Sequence, residues 1–344
     1  MTSDEGQAGG TVHVLYFAGT GRSGTTVVSN ILGQLPGAFA AGELRYLWDR
    51  GVEQDHLCGC GETFSRCPLW TGVMRQLAEC SDTAGDLAQV GHRLRVRLRM
   101  ARLPAMLLRH AAGRPPLPPH PDDDLVARLY RAVAQESGAH VIIDTSKLPP
   151  YGLLVDRLPG VRVSIVHLVR DPRATAYSWR RTKTTRDPSA GAQMQRLQTW
   201  KSSVLWMVWN LTAAVLWRER HSRVCRLRYE DLVNDPGAHL RRLAFLAGCE
   251  PSDLPFIDRH TVRLAPTHTV AGNPNRHDTG TVRLRGDDEW RSEMGLLDRA
   301  LVTVLSAPGL ALFGYPLRAR TSSASRVTPT APSEVAPLST DQRL

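Results

Sequence analysis

The segment Val12–Thr26, VHVLYFAGTGRSGTT, constrains this chain more than any other. An apolar run passes without a break into a glycine-rich turn. Val28, Ile31, Leu32 and Leu35 then recur at helical spacing until Pro36-Gly37 ends the run. A strand, a glycine loop and a helix in that order aim backbone N–H groups, and the positive end of a helix dipole, at an anion. Gly19 and Gly24 have the spacing of a Walker loop, G-x-x-x-x-G-K-[ST], yet Thr25 stands where the lysine belongs and Arg22 lies inside the loop. That lysine neutralises the β- and γ-phosphates of a magnesium triphosphate. Without it, a shorter anionic group gripped by an Arg fork fits better, and a turn with no ligand is the plain alternative.

Three later runs have the same unalternating, β-branched character as Val12–Ala18: HVIID from His140, VRVSIVHLV from Val161 and RVCRLRY from Arg223. Strands covered on both faces read this way. Helical patterns lie between them, including Asp124–Gly138 and DPRATAYSWRRT, where Asp171 suits an N-cap and Pro172 the first helical position. Val204–Trp217 is too short for a membrane span and reads as a core helix. Strand–helix alternation implies an α/β fold with a central parallel sheet. The segments following the strands, GTGRSGTT, DTSKLP, RDPRA and YEDL, then all fall at strand carboxyl ends, where open α/β sheets bind ligands. Residues 1–320 form one domain on this reading. A helical, Cys-, Arg- and Pro-rich insertion spans Gly51–Pro121, and a Ser/Thr/Pro-rich tail from Thr321 is expected to be disordered.

The formal charge of +10 favours anionic partners. The six cysteines in a chain of 344 residues suit a reduced compartment rather than a disulfide scaffold. A polar, acidic N-terminus shows no signal peptide, so the expected location is cytoplasmic. Arg170 and Ser178 can reach one space above the sheet, and an Arg with a hydroxyl is a standard phosphate pair. A structural Arg170–Asp171 arrangement is the competing reading. Tyr229 either meets a base or packs in the core.

GRSGTT followed by RDPRATAYS resembles the two signature segments of the sulfotransferases that use 3′-phosphoadenosine-5′-phosphosulfate (PAPS). The resemblance runs from about Thr11 to Arg291 and is patchy in the insertion. It implies a P-loop NTPase-like three-layer fold and PAPS as sulfuryl donor with no metal required. Gly21, Arg22, Ser23, Gly24, Thr25 and Thr26 would hold the 5′-phosphosulfate, Arg170 and Ser178 the 3′-phosphate. RYEDLVNDP resembles the segment that places a tyrosine, here Tyr229, beside the adenine. Gly21 replaces the proline often found before the arginine. Glu43, in AAGELRYL, resembles the catalytic Glu of the tyrosylprotein and related carbohydrate sulfotransferases, and Lys147 the lysine that stabilises the leaving diphosphate. Arg22 would share that cationic role, with Asp144 and Ser146 orienting Lys147. A Glu43–Arg45 surface pair is the bland counterpart.

Arg276, in a late Gly-rich loop, is the candidate for a further cationic contact to the 3′-phosphate, although the Arg-Lys-Gly form usual in the family is absent. Cys58, Cys60 and Cys67 with His56 nearby could bind zinc, but a complete pair of C-x-x-C knuckles is missing, so a packed lobe anchored by Trp70 is the expectation and no metal is assigned. The arginine-rich stretch 92–114 reads as a solvated helix face, with peripheral contact to anionic lipid as its other use. Nucleic acid is not an expected partner, since no module or interleaved aromatics accompany the charge. The acceptor, whether small molecule, carbohydrate, lipid or peptide, is not encoded legibly. Two other functions compete: a P-loop nucleotide or small-molecule kinase, and a nucleotide-binding regulator without turnover.

Overall fold

The computed structural model describes residues 11–79, 87–182, 187, 196–218 and 223–318. The tail expected to be disordered lies outside them. Five parallel strands form the central sheet in the order β2-β3-β1-β4-β5. They are β1 (Val12–Ala18), β2 (Ala38–Gly42), β3 (Val141–Lys147), β4 (Val161–Val169) and β5 (Val224–Arg228). In register, Val14 lies between Ile142 of β3 and Val163 of β4. The four runs of β-branched residues are thus strands, three of them in the sheet's middle. The edge strand β2, AFAAG, is the one the composition hides, because alanine and glycine carry little strand preference of their own. β3 also continues past Asp144 to Lys147, with a register shift opposite Tyr16–Ala18.

Side chains alternate to two apolar layers, one on each face of the sheet. Val14, Tyr16, Ile142 and Val163 pack on one side with α5 (Asp122–Ser137), α6 (Pro149–Val155) and the end of α8 (Thr199–Leu216). Leu15, Phe17, Ile143 and Val166 pack on the other with α1 (Thr25–Leu32) and α10 (Pro236–Ala247). The result is the expected three-layer α/β architecture, P-loop-like in its first strand, loop and helix. α7 (Pro172–Arg180) starts as its sequence implies: Asp171 accepts the backbone N–H of Arg173 at 2.9 Å, and Pro172 opens the helix. The α8 segment is only half core. Trp206 and Asn210 are buried, whereas Val204, Val208 and Val215 stay exposed on the opposite face.

The described part of the insertion holds three helices, α2 (Pro68–Glu79), α3 (Leu87–Arg97) and α4 (Leu103–Ala111). Trp70 and Leu77 of α2 join the first apolar layer, so the insertion shares the main core. Its arginines are more than a solvated face. Arg93 grips Asp122 through Nε and Nη2 at 3.0 and 2.8 Å, and Arg97 pairs with Asp123, pinning α3 to the acidic start of α5. Downstream of α9 (Tyr229–Asn234) and α10, a small antiparallel sheet forms from β6 (Phe256–Asp258), β7 (Thr261–Leu264) and β8 (Gly280–Arg283). The loop between β7 and β8 folds back on the main sheet, where Val270 N–H donates to the Ala41 carbonyl at 3.0 Å. Among the described residues no helix is long and apolar enough to cross a membrane.

Candidate active site

The glycine loop leaves the first turn of α1 open to a ligand. Its N-cap is Gly24, at φ 88°, and no side chain caps the helix. An added Cβ there would lie 2.5 Å from the Tyr229 ring, so tyrosine and loop are in direct contact only because position 24 lacks one. Ser23 lies below the rim, fully buried, its hydroxyl donating to the Thr20 carbonyl at 2.8 Å. Arg22 holds a left-handed φ of 68°, rare for a residue with a side chain, and its guanidinium lies 4.7 Å from the centre of the Trp179 ring. Burial pulls the Arg22 pKa below its ordinary value; Glu43 opposes that shift and Arg170 adds to it. Cations crowded in this way are relieved by an anion.

Glu43 follows β2 directly, so it too lies at a strand's carboxyl end. Lys147, at the end of the adjacent β3, donates to Glu43 Oε1 at 2.9 Å and to the Thr145 carbonyl at 2.5 Å. Its Nζ is also 3.5 Å from Thr25 Oγ1. A lysine therefore reaches the loop position that the sequence left vacant, but it comes from a different strand. Lys147 adopts φ 63°, the second left-handed non-glycine residue at this site. Such strain persists only where surrounding contacts impose it. Here Asp144 imposes it, accepting Ser146 N–H at 2.7 Å and the Tyr130 hydroxyl at 2.5 Å. Asp144 and Ser146 thus orient Lys147 through the backbone turn, and Ser146 Oγ accepts the Arg45 N–H at 3.1 Å. Burial pushes the Asp144 carboxyl up to about 6.

For Glu43, burial raises the carboxyl pKa, but Lys147 and then Arg45 outweigh it and hold it below the ordinary value. The carboxylate is ionised at neutral pH. The Arg45 pair exists too, at a looser 4.0 Å, so Lys147 is the dominant partner.

Arg170 and Ser178 face the same cavity, from the end of β4 and the body of α7. Arg170 Nη1 donates to the Arg22 carbonyl and Nη2 to Asp287, both at 2.9 Å, while its guanidinium lies 4.8 Å from the Tyr229 ring centre. Its Nε has no hydrogen-bond partner among the described residues. The alternative Arg170–Asp171 arrangement does not form: Asp171 pairs with Arg173 instead, at 2.8 Å. Arg276 also lines the cavity, but its Nη1 and Nη2 donate to the carbonyls of Thr269 and Leu57 at 2.9 and 2.6 Å. Those bonds commit its guanidinium to the loop, which opposes a direct contact with a phosphate.

All of the residues selected for donor contact or catalysis except Ser23 line one cavity of about 1020 Å³, with Asp144 and Ser146 behind its wall. The structure adds Trp179, Trp209 and Asp287 to its wall. The first two have no motif to mark them, and Asp287 sits in the acidic GDDEW run, whose pairing with Arg170 across 117 residues has no local signature. The cavity combines an anion-ready helix terminus, three buried cations and an ionised carboxylate at adjacent strand ends. That set suits binding an anionic donor and accepting a proton from a second molecule.

A family model described as "Sulfotransferase family" matches residues 15–253, a span holding Glu43, Lys147, Arg170, Ser178 and Tyr229 but not the β7–β8 loop. The chain is similar in structure to the sulfotransferase domain of the Synechococcus PCC 7002 olefin synthase, at 21% identity and a TM-score of 0.48, covering 92% of this chain and 100% of that one. It is similar also to the sulfotransferase domain from the curacin biosynthetic pathway, at 14% identity and TM-score 0.47, covering 90% and 99%. A sulfotransferase from Mycobacterium avium is similar at 14% identity and TM-score 0.43, covering 90% and 79%. No curated protein matches significantly. With a match across well over half its length, from the first strand through α10, this chain belongs to the sulfotransferase family.

Proposed function

We propose that this enzyme moves a sulfuryl group from PAPS to a hydroxyl or amine of an acceptor, with Glu43 as base. The observation that carries the reading is the Lys147–Glu43 contact at 2.9 Å, beside the uncapped start of α1 and opposite Arg170. The cavity suits the donor on two counts. No side chain caps the first turn of α1, and the buried Nε of Arg170 has no hydrogen-bond partner among the described residues. PAPS supplies an activated sulfuryl group and leaves as adenosine 3′,5′-diphosphate. Residues 21–26 would hold its 5′ end, Arg170 and Ser178 its 3′-phosphate, and Tyr229 its base.

The chain's own groups divide the work. Glu43 is kept ionised and accepts the acceptor's proton. A well-placed general base contributes roughly 10²–10⁴-fold. Lys147 lies within reach of both Glu43 and Thr25, so its ammonium can turn from the carboxylate to the anion at the loop. That turn removes the charge that depresses Glu43 and makes it a stronger base when the donor site is filled. Arg22, stacked on Trp179, supplies a second fixed cation where negative charge develops. Arg276 orders the loop that carries Ala271, whose carbonyl accepts the Glu43 N–H at 3.1 Å. On the acceptor side, Gln54 and His56 bring the start of the insertion to the cavity wall. A small-molecule, carbohydrate, lipid or peptide acceptor and a cytoplasmic setting belong to this reading.

Calorimetric titration with adenosine 3′,5′-diphosphate, 5′-AMP and Mg-ATP in parallel tests it. Tight binding of the 3′,5′-diphosphate alone, lost in Arg170→Ala, is expected. Preference for Mg-ATP would replace this reading with the kinase one. Binding of the diphosphate with no turnover on any acceptor would favour a regulator.

A further inference from the structure

Away from the cavity lining, four soft metal ligands converge. Cys58, Cys60 and Cys67 come from the insertion, and His268 comes from the β7–β8 loop. One ligand atom from each lies within 4.8 Å of all the others. His268 Nδ1 is 3.2 Å from Cys67 Sγ and 3.9 Å from Cys58 Sγ. A tetrahedral zinc ion, with bonds of about 2.3 Å to sulfur and about 2.0 Å to nitrogen, sets its ligand atoms roughly 3.5–3.8 Å apart. The three thiols are free rather than joined in a disulfide.

The surrounding backbone is built for such a site. Cys58 N–H donates to the Glu62 carbonyl and Gly61 N–H to the Cys58 carbonyl, at 2.7 and 3.0 Å, closing a tight turn around Cys58 and Cys60. Cys67 immediately precedes Pro68, the first residue of the twelve-residue α2, where the helix dipole favours a thiolate. On the other side, Trp70 Nε1 donates to the His268 carbonyl at 2.9 Å, and Gly59 N–H to the Thr269 carbonyl at 2.9 Å. A Cβ on Gly59 would sit 2.6 Å from the Thr267 carbonyl oxygen, so the turn and the loop approach too closely for any side chain there. Arg276 donates to the Leu57 and Thr269 carbonyls, which adjoin Cys58 and His268.

We propose that Cys58, Cys60, Cys67 and His268 form a structural zinc site that fastens the insertion to the loop between β7 and β8. Three thiolates and one neutral imidazole around Zn²⁺ leave a net charge of about −1, and the adjacent Arg276 guanidinium offsets it. Four protein ligands leave no open position for substrate, and none of the four residues lines the cavity, so the site is structural rather than catalytic. Its effect on the reaction is indirect. The tethered loop hydrogen-bonds Ala41 of β2 and Glu43 just beyond it, and so holds the wall against which the proposed base sits. The fourth ligand lies 201 residues beyond Cys67, so the cysteine spacing alone offered only an incomplete ligand set.

The proposal does not depend on the donor or the acceptor. The full-length chain, purified without chelators, is expected to carry about one zinc ion by mass spectrometric metal analysis. Zinc content should fall at least roughly tenfold in the double variant Cys58→Ser/Cys67→Ser, and fall clearly in His268→Ala. Stripping the wild-type protein with an organomercurial and a chelator, then adding Co²⁺ alone, should give the visible bands of tetrahedral, thiolate-bound cobalt and restore the lost thermal stability. Wild-type protein without zinc, iron in its place, a Cys58–Cys67 disulfide, or an octahedral cobalt spectrum would each overturn the proposal. If the variants fail to fold, the wild-type zinc content and the cobalt spectrum decide the question by themselves.

Discussion

The two walls of the cavity are held in place by different physics. On the sheet side, Arg22, Glu43, Lys147 and Arg170 each sit within a few residues of the strand that positions them. The parallel ladder sets their spacing, and two of them pay in backbone strain, Arg22 and Lys147 at φ near +65°. On the loop side, residues 265–287 gain their place through contacts distant in sequence: His268 to Cys67, Arg276 to Leu57, Asp287 to Arg170. A backbone scaffold tolerates the loss of any one side chain with its geometry intact. A wall built from side-chain links does not. Removing a sheet-side side chain should therefore change chemistry or binding with little loss of fold, whereas removing a loop-side one should move both together.

The largest effect should come from the ion pair at the strand ends. Glu43→Gln is expected to lower kcat by about 10²–10⁴-fold while leaving adenosine 3′,5′-diphosphate affinity near that of wild type by calorimetry. Since Lys147 and Arg45 hold Glu43 below its ordinary pKa against the effect of burial, kcat/KM should stay level down to pH values below the usual glutamate range and then fall as the carboxylate is protonated. An acid limb near the histidine value, at ~6.5, would assign the base to another residue and break the sheet-side half of the comparison.

Next in size, Arg170→Ala should weaken adenosine 3′,5′-diphosphate binding by roughly 10–100-fold, as expected for loss of charge-assisted hydrogen bonds. Affinity for 5′-AMP should be unchanged in the same titration. Equal losses for both ligands would mean that Arg170 holds Arg22 and Asp287 in place without reading the 3′-phosphate.

Gly24→Ala tests the contact between the glycine loop and Tyr229. The new Cβ meets the ring at 2.5 Å and the position has φ 88°, so a loss of about 1–3 kcal/mol is expected by denaturant titration. Donor affinity should fall with it. Unchanged stability would show that Tyr229 moves aside at little cost and that the loop is less rigid than the sheet beneath it.

The smallest effect concerns Asp144. Its carboxyl stays protonated in the fold up to about pH 6, against a usual value of 3.8. Between those values the folded state binds more protons than the unfolded one, so this group makes stability fall as pH rises through the window. Asp144→Asn should remove that contribution. The stability difference, wild type minus variant, should decline from pH 4 to 7 in parallel denaturation series, and a flat or rising difference would contradict the burial argument.

Much of the sheet-side wall was readable from the chain alone. Val12–Ala18 and Val161–Val169 announce doubly covered strands, Asp171-Pro172 announces a helix start, and the polar residues next to each strand are carried to one edge by parallel topology. Glu43 was found through a resemblance rather than through its strand, because AFAAG has no strand signature and is ordered by pairing with β3. The Arg93–Asp122 and Arg97–Asp123 pairs, likewise, turned an arginine run into an internal fastening only once α3 met α5. Local features are written in the chain: where strands end, where an anion can be cradled, and that no Walker lysine follows Gly24. Convergence arises only on folding: Lys147 reaches Thr25 from another strand, Asp171 belongs to Arg173, and His268 joins three cysteines some two hundred residues away. Periodicity and spacing record short-range preferences of the backbone, whereas a contact between distant side chains depends on the packing of every element between them, and no stretch of sequence carries it.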